Sequence, residues 1–222
     1  MSPPIWAGTH GNETISSDRN DYIFFLSKDD VPYGCFSNAY REKEGHTPLN
    51  SSSSVVADEN AASSSSSSSK KKNFWCINQE LHYQKAILFE DHDIARQILE
   101  EEHDASKIKQ LGRLVKGYDD GKWCEVRYDV CRDALHAKFG QNEELKNVLL
   151  QTGEKILLEA ARDKVWGVGV VEYTKEDDAD GKTVGAKNRE TGGWDVEPKD
   201  WVGENLLGRC LMDVRSLLAN SS

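Results

Sequence analysis

The residue with the clearest chemical potential is Lys85. In the segment Asn73–Asp91 (NFWCINQELHYQKAILFED), Leu81, Gln84, Lys85, Leu88 and Phe89 recur at three- and four-residue steps, the spacing of one helix face. A charged ammonium facing a core or cleft is costly, so such a lysine is paired, neutral or snorkelling with its head in water. A snorkelling lysine does no chemistry. A partly buried one gives up its proton more readily and can attack an electrophilic carbon. Periodicity alone leaves both roles open.

That helix needs partners. Tyr22–Ser27 (YIFFLS) is aromatic and apolar enough for a buried first strand, closed by Asp29–Asp30 and Pro32–Gly34 as turn residues. Ser37 and Asn38 fall in a turn beside aromatics, where they cap local backbone or bind a ribose or phosphate. After Lys85, His92–Glu101 repeats Ile94, Ile98 and Leu99, and Ala105–Leu111 predicts a shorter helix. The longest helix is expected over Lys122–Phe139, with Trp123, Val126, Val130, Ala134 and Ala137 along one face and Gly140 closing it. Asn142–Gln151 predicts another short helix, ending at Thr152–Gly153. Ile156–Ala160 and Trp166–Val170 are β-compatible, although Gly167 and Gly169 suggest backbone held close to a neighbour. Gly203–Leu218 is an amphipathic helix with Leu207, Cys210, Leu211 and Val214 at helical spacing. These elements predict an α+β fold, a single mostly helical domain over residues 21–220 with a few short strands. Residues 1–20 read as a disordered tail. The serine-rich stretch at 41–72 reads as a flexible insert in a surface loop, because the segments flanking it are too short to fold alone.

Composition narrows the functions. The chain carries 28 basic and 38 acidic side chains, a formal charge of −10. A broad nucleic-acid footprint needs a basic surface, so a small nucleotide-like ligand, or one flipped-out or terminal nucleotide, suits this chain better. The five cysteines are scattered, with no pair at CxxC spacing, and the six histidines form no ligand pattern; no metal is expected. WGVGV at 166–170 is not a dinucleotide fingerprint, and no cofactor is expected. Neither a membrane span nor a secretory leader is legible, so a soluble cytoplasmic or nuclear protein is the expectation. No obligate protein partner is evident.

Six ordered pieces add to this reading: FSNAY (36–40), YQKAILFED (83–91), LGRLVKGYDDGKW (111–123), LHAKFGQNEELKNVLLQTG (135–153), LLEAARDKVWGVGV (157–170) and NLLGRCLMDVR (205–215). In this order they resemble the NADAR, or YbiA-like, family over nearly the whole chain outside the tail, the insert and the 173–200 loop. The resemblance implies an enzyme that cleaves N-glycosidic bonds to ribose. Some members resemble hydrolases that remove ADP-ribose from guanine, which would make ADP-ribosylated guanine the substrate. Others are linked to hydrolysing early riboflavin-pathway intermediates. The serine-rich insert gives the chain the look of a stand-alone eukaryotic member.

The resemblance assigns the lysine of the central helix to Lys85. It also implies an acid nearby, and here the chain departs from the family. The glutamate usually found seven residues before that lysine is Asn78, with Glu80 two residues later. Seven residues return to nearly the same helix face; five put Glu80 about 140° away. Asn78 can hold a ligand or water but cannot transfer a proton at neutral pH. Glu159 and Asp163 are the next carboxylates, each equally a cap or a surface ion pair. Arg113 suits a phosphate clamp because its fork binds two oxygens. Trp123 and Trp166 could stack on a base, or simply fill core. Asn205, opening the last helix, is a cap or a phosphate or ribose contact. Gly34, Phe36, Ser37, Asn38, Gln84, Gly112, Gly167, Gly169 and Gly208 complete the substrate-binding set that the resemblance implies. A catalytically weak ADP-ribose-binding module is the rival reading that Asn78 favours.

Overall fold

The computed structural model describes residues 21–49, 73–169, 183–184, 187–188 and 202–221. The expected tail, the serine run at 50–72 and most of the 173–200 loop lie outside the described residues. The chain folds as two compact units, Met1–Ser37 with Asn147–Ser222, and Asn38–Lys146.

The second unit is helical and is built around α1 (Ile77–Leu88), which packs against α2 (His92–Glu100), α3 (Ala105–Arg113) and α4 (Asp120–Gln141). Its core is a cluster in which Phe74, Ala86, Ile98 and Ile108 are fully buried, flanked by Tyr83, Ile94 and Leu111. Ile94 and Ile98 are periodic positions of the sequence, but on α1 the core side is Tyr83, Ala86 and Ile87, while Gln84, Lys85, Leu88 and Phe89 of the stripe read from the sequence are only half-buried. Aspartates set the starts of three helices. Asp91 accepts from the Ile94 N–H at 3.2 Å, Asp104 from Ser106 at 2.8 Å and Asp119 from Lys122 at 2.9 Å, each satisfying a donor that the first turn leaves unpaired. α1 has no such cap. Its entry is held by Gln79, whose Oε1 accepts from Trp75 N–H at 3.1 Å while its Nε2 donates to the Ile98 and Glu101 carbonyls, both at 3.0 Å.

Two boundaries differ from the sequence reading here. α4 runs through Gly140 to Gln141, longer than expected at both ends. Residues 41–49, read as the start of a disordered insert, are built into the unit. His46 bridges to Phe74 in antiparallel fashion, and Glu42 and His46 are buried. Composition missed this because both side chains are polar and are buried only by pairing with each other and with Glu80.

The first unit holds the strands. β1 (Tyr22–Phe25) and β2 (Ile156–Glu159) pair in parallel, Tyr22 opposite Ile156 and Phe25 opposite Glu159. Parallel strands need a long crossover, and here all of the other unit intervenes in the chain. A short 3-10 helix, Tyr33–Phe36, follows β1, with the Phe36 ring edge-on to Phe25 at 5.5 Å. The helix α5 (Glu143–Leu150) precedes β2; a two-residue antiparallel pair, β3 (Thr183–Val184) and β4 (Lys187–Asn188), stands apart; and α6 (Leu206–Asn220) packs on β2. The result is α+β and mostly helical.

The run at 166–169 is not a strand. Gly169 has φ +58°, outside extended geometry, and the segment instead takes single bonds, Val168 N–H to Glu159 O at 2.9 Å and Gly203 N–H to Val168 O at 2.7 Å. α6 begins at Leu206, later than expected, because Gly203, Glu204 and Asn205 direct their N–H groups back to residues 164–168. Among the described residues no helix is long and apolar enough to cross a membrane, and no metal-binding cluster of His, Cys, Asp and Glu is present.

Gly208 shows how tightly α6 sits on β2. A Cβ there would overlap the Leu157 carbonyl and the Asn205 amide. Replacing a helical glycine by alanine ordinarily gains about 1 kcal/mol. Gly208→Ala should reverse that sign and destabilise by about 1–3 kcal/mol, read as a lowered thermal midpoint in calorimetry.

Candidate functional site

Lys85 lies in the last turn of α1, half-buried. Its Nζ donates to the Gly112 carbonyl at the end of α3 at 2.9 Å and stands 4.1 Å from the centroid of the Tyr118 ring. Tyr118 in turn donates its hydroxyl to Asp120 Oδ1 at 2.6 Å and meets the Phe89 ring edge-on at 5.4 Å. Burial lowers the Lys85 pKa from its ordinary value, and the Asp120 charge works against that shift. Burial, with the Asp120 carboxylate, pushes the Tyr118 phenol up to about 12, so it stays protonated and remains a donor. The arrangement is a lysine amine with one carbonyl and one ring face around it and 43% of Tyr118 open to solvent. An amine so placed can add to a carbonyl or imine carbon.

His82, one turn earlier on α1, has Gly112 packed directly against its ring, with no space for a side chain there. Burial, then the charges of Lys85, Lys109 and Arg113, lower its pKa to about 4, so it is neutral at neutral pH. Its Nδ1 and the Nδ2 of Asn78 are buried and make no hydrogen bond among the described residues. Asn78, His82 and Lys85 fall within about 60° of one another around the helix. They form a polar stripe on α1.

Glu80 does not stand in for the family glutamate. α1 is regular from Ile77, and Glu80 turns away to His46, Nε2 to Oε2 at 2.7 Å, while the other ring nitrogen meets Glu42 Oε1 at 2.9 Å. All three groups are buried. Burial alone would lower the His46 pKa, but the hydrogen bonds to Glu42 and Glu80 outweigh it and raise it to about 9.

The remaining residues divide between the two units. With Lys85 in the second unit are Asn38, half-buried and accepting from the Asn78 N–H at 2.9 Å; Gln84, half-buried; Gly112; Arg113, exposed at the end of α3; and Trp123, buried in α4. In the first unit Gly34, Phe36 and Ser37 are buried in and just after the 3-10 helix. Glu159 ends β2, half-buried. Asp163 is exposed and accepts the N–H groups of Val165 and Trp166, both at 2.8 Å, as a turn cap. Gly167 and Gly169 use their own N–H groups on Asp163 and Ala161 carbonyls, and the close neighbours that these glycines imply are the chain itself, Glu159 and Ala161 against Gly167, Lys164 and Gly203 against Gly169. Asn205 occupies the N-cap position without capping. It adopts the left-handed region (φ +47°), accepts from Glu159 N–H at 3.1 Å and donates to Leu157 O at 2.9 Å. Sequence reasoning missed Tyr118, Asp120, His82 and the Glu42–His46–Glu80 bridge. The Tyr-Asp-Asp step at 118–120 is a visible signal only for a helix start.

Against known proteins, the profile of the NADAR domain matches residues 24–219, and the chain belongs to that family. It is 33% identical over 138 residues to an N-glycosidase of Acanthamoeba polyphaga mimivirus, covering 62% of this chain and 70% of that protein. It is 34% identical over 148 residues to the protein irg-1 of Caenorhabditis elegans, 65% of this chain and 61% of the relative. A riboflavin biosynthesis protein of Vibrio vulnificus matches at 33% over 95 residues, 42% of this chain and 26% of the relative. The chain therefore spans less than two thirds of the last two. The NMR structure of the Escherichia coli protein YbiA has the same fold, with TM-score 0.57 at 22% identity, covering 94% of this chain and 95% of that one.

The two histidines shape stability in opposite pH windows. The folded pKa of His46 is raised from 6.5 to about 9, so its stabilisation is full below pH 6.5 and is lost as the pH rises to about 9. The span is on the order of 3 kcal/mol. His82 is lowered from 6.5 to about 4, so it destabilises as the pH falls between those values, where only the unfolded chain takes the proton. Thermal midpoints across this range should fall on both sides of about pH 6.5, and His46→Gln should flatten the alkaline arm alone.

Proposed function

We propose that this protein is an N-glycosidase that removes ADP-ribose from the amino group of guanine, with Lys85 as the nucleophile. The observation that carries the reading is the Lys85 amine, half-buried, lowered in pKa by that burial and bordered by an exposed ring. Membership of the NADAR family and the likeness to a viral N-glycosidase support the reaction class.

The ribose carbon bonded to an amino nitrogen can open to an imine. Neutral Lys85 adds to that carbon, and the guanine amine leaves with a proton, so the sugar becomes an imine of Lys85. Water then hydrolyses the imine, returning the amine and releasing ADP-ribose. The protonated form of Lys85 cannot make the first bond, which is why partial burial matters. Arg113, in the same unit as Lys85, is the proposed phosphate clamp. Asn78 is assigned to holding substrate or water, since an amide cannot move a proton at neutral pH.

A metabolite reading has its own support in the match to the Vibrio riboflavin biosynthesis protein and in the charge of −10, since a free ribosyl-pyrimidine phosphate needs no long basic groove. One assay set separates the two. The protein is incubated with an ADP-ribosylated guanine oligonucleotide and, in parallel, with a ribosylaminopyrimidine phosphate. Release of ADP-ribose by wild type, lost by at least about a thousandfold in Lys85→Ala, with borohydride trapping of a sugar adduct on Lys85, is the expected result. Release only from the pyrimidine phosphate would move the substrate to the metabolite class. ADP-ribose binding without cleavage of either would leave a reader.

Asn78→Glu restores an acid at the family position on the Lys85 face of α1. Turnover should rise by about tenfold or more, as general acid help commonly gives. If cleavage appears only in the variant, the natural site is a binding one.

A further inference from the structure

Lys85 touches two groups with different consequences for its charge. The Gly112 carbonyl accepts a hydrogen bond from either an amine or an ammonium. The face of an aromatic ring attracts only the ammonium. The Tyr118 ring lies 4.1 Å from Nζ, and it is held there by its own contacts, its hydroxyl on Asp120 Oδ1 at 2.6 Å and its ring against Phe89. The loop that carries it is anchored from below, where buried Asp91 accepts the Lys116 N–H at 2.9 Å. The ring therefore sits over the nitrogen as part of the fold, although Tyr118 is 43% exposed.

We propose that Tyr118, fixed by Asp120, is a positioning residue that stores Lys85 as the ammonium in the resting protein, so that displacing the ring converts the lysine to its reactive form. This rests on the reading of Lys85 as the attacking amine. A ligand that takes the place of the ring, a flat purine or pyrimidine being the natural shape, would remove the π-face and exclude water from the nitrogen in one movement. Both changes favour the neutral amine. Reactivity is then coupled to occupancy, and a stray aldehyde meets an unreactive ammonium.

The charges around the nitrogen come from three helices. On α1 the neighbour is neutral His82. On α3, Lys109 and Arg113 lie within electrostatic reach of His82, and on α4 Asp120 favours the ammonium while Arg127 helps to keep Asp120 ionised. Cys124 donates its thiol to the second Asp120 oxygen at 3.6 Å.

The test reads the amine directly. Wild type, Tyr118→Leu, Tyr118→Phe and Asp120→Asn are treated with a small aldehyde and cyanoborohydride over a pH series from about 7 to about 10.5, around the ordinary lysine value. Labelling of Lys85 is followed by peptide mass mapping, with circular dichroism confirming the fold. Tyr118→Leu and Asp120→Asn should move the labelling midpoint down and raise Lys85 labelling about three- to tenfold at pH 7.5, because a lower midpoint leaves proportionately more free amine at a fixed pH. Tyr118→Phe keeps the ring and should change the midpoint less. An unchanged midpoint in folded Tyr118→Leu overturns the proposal. Because no glycoside enters this assay, a lowered midpoint in a protein that cleaves no guanine adduct would retain the role of Tyr118 and discard only the substrate.

Discussion

A buried imidazolium between two carboxyl groups ties together the unit that carries the candidate nucleophile. His46 reaches Glu42 within its own segment and Glu80 on α1, and all three are almost wholly shielded from water. Burying such charge is expensive, and here both ring nitrogens of His46 are paired while Glu42 Oε2 makes no hydrogen bond among the described residues. Removing any one member leaves the others stranded, which makes the trio a strict requirement on where residues 42–46 sit against α1. The same histidine pairs its backbone with Phe74 at 2.8 and 2.9 Å, just before α1 begins. The position of the helix, and with it the face bearing Asn78, His82 and Lys85, follows from that arrangement.

The other end of α1 is fixed by backbone approach. Gly112 is pressed onto His82 and offers its carbonyl to Lys85, so a single residue without a side chain both fills the space against the imidazole and orients the amine. Asp91 performs a related double role, capping α2 with one oxygen and holding Lys116 with the other. Backbone hydrogen bonds, chiefly that from Lys116, hold its carboxyl below the usual range. The loop carrying Tyr118 thus inherits the rigidity of two helix ends. In the first unit the comparable device is Asn205, whose two amide ends close on β2 while its backbone turns left-handed into α6.

These features bear on the chemistry proposed for Lys85. Partial burial makes the amine available, the ring and Asp120 hold it charged, and neutral His82 beside it adds no competing positive charge. A lysine fully in water would stay an ammonium, and one fully in the core would reach no substrate. The half-buried position between carbonyl and ring lies between those limits.

Much of the architecture was legible in local pattern. Apolar spacing of three and four residues located the helices, because burial of a helix requires an apolar stripe wherever the helix ends up, although on α1 the buried side is that of Tyr83, Ala86 and Ile87 and not that of Leu88 and Phe89. The aspartates that cap α2, α3 and α4 are equally local signals, since a cap is satisfied within one turn of chain, although none of the three is among the helix starts read from the sequence. The resemblance placed the family. What only the tertiary structure decided is non-local. The parallel pairing of β1 with β2, the turning of Glu80 to His46 and not toward Lys85, the refusal of Asn205 to cap, and the ring of Tyr118 over an amine thirty-three positions earlier in the chain all depend on residues far apart in sequence. A polar side chain gives no periodic sign of whether it will face water or a buried partner; that is settled by which groups the packed helices bring within hydrogen-bonding distance.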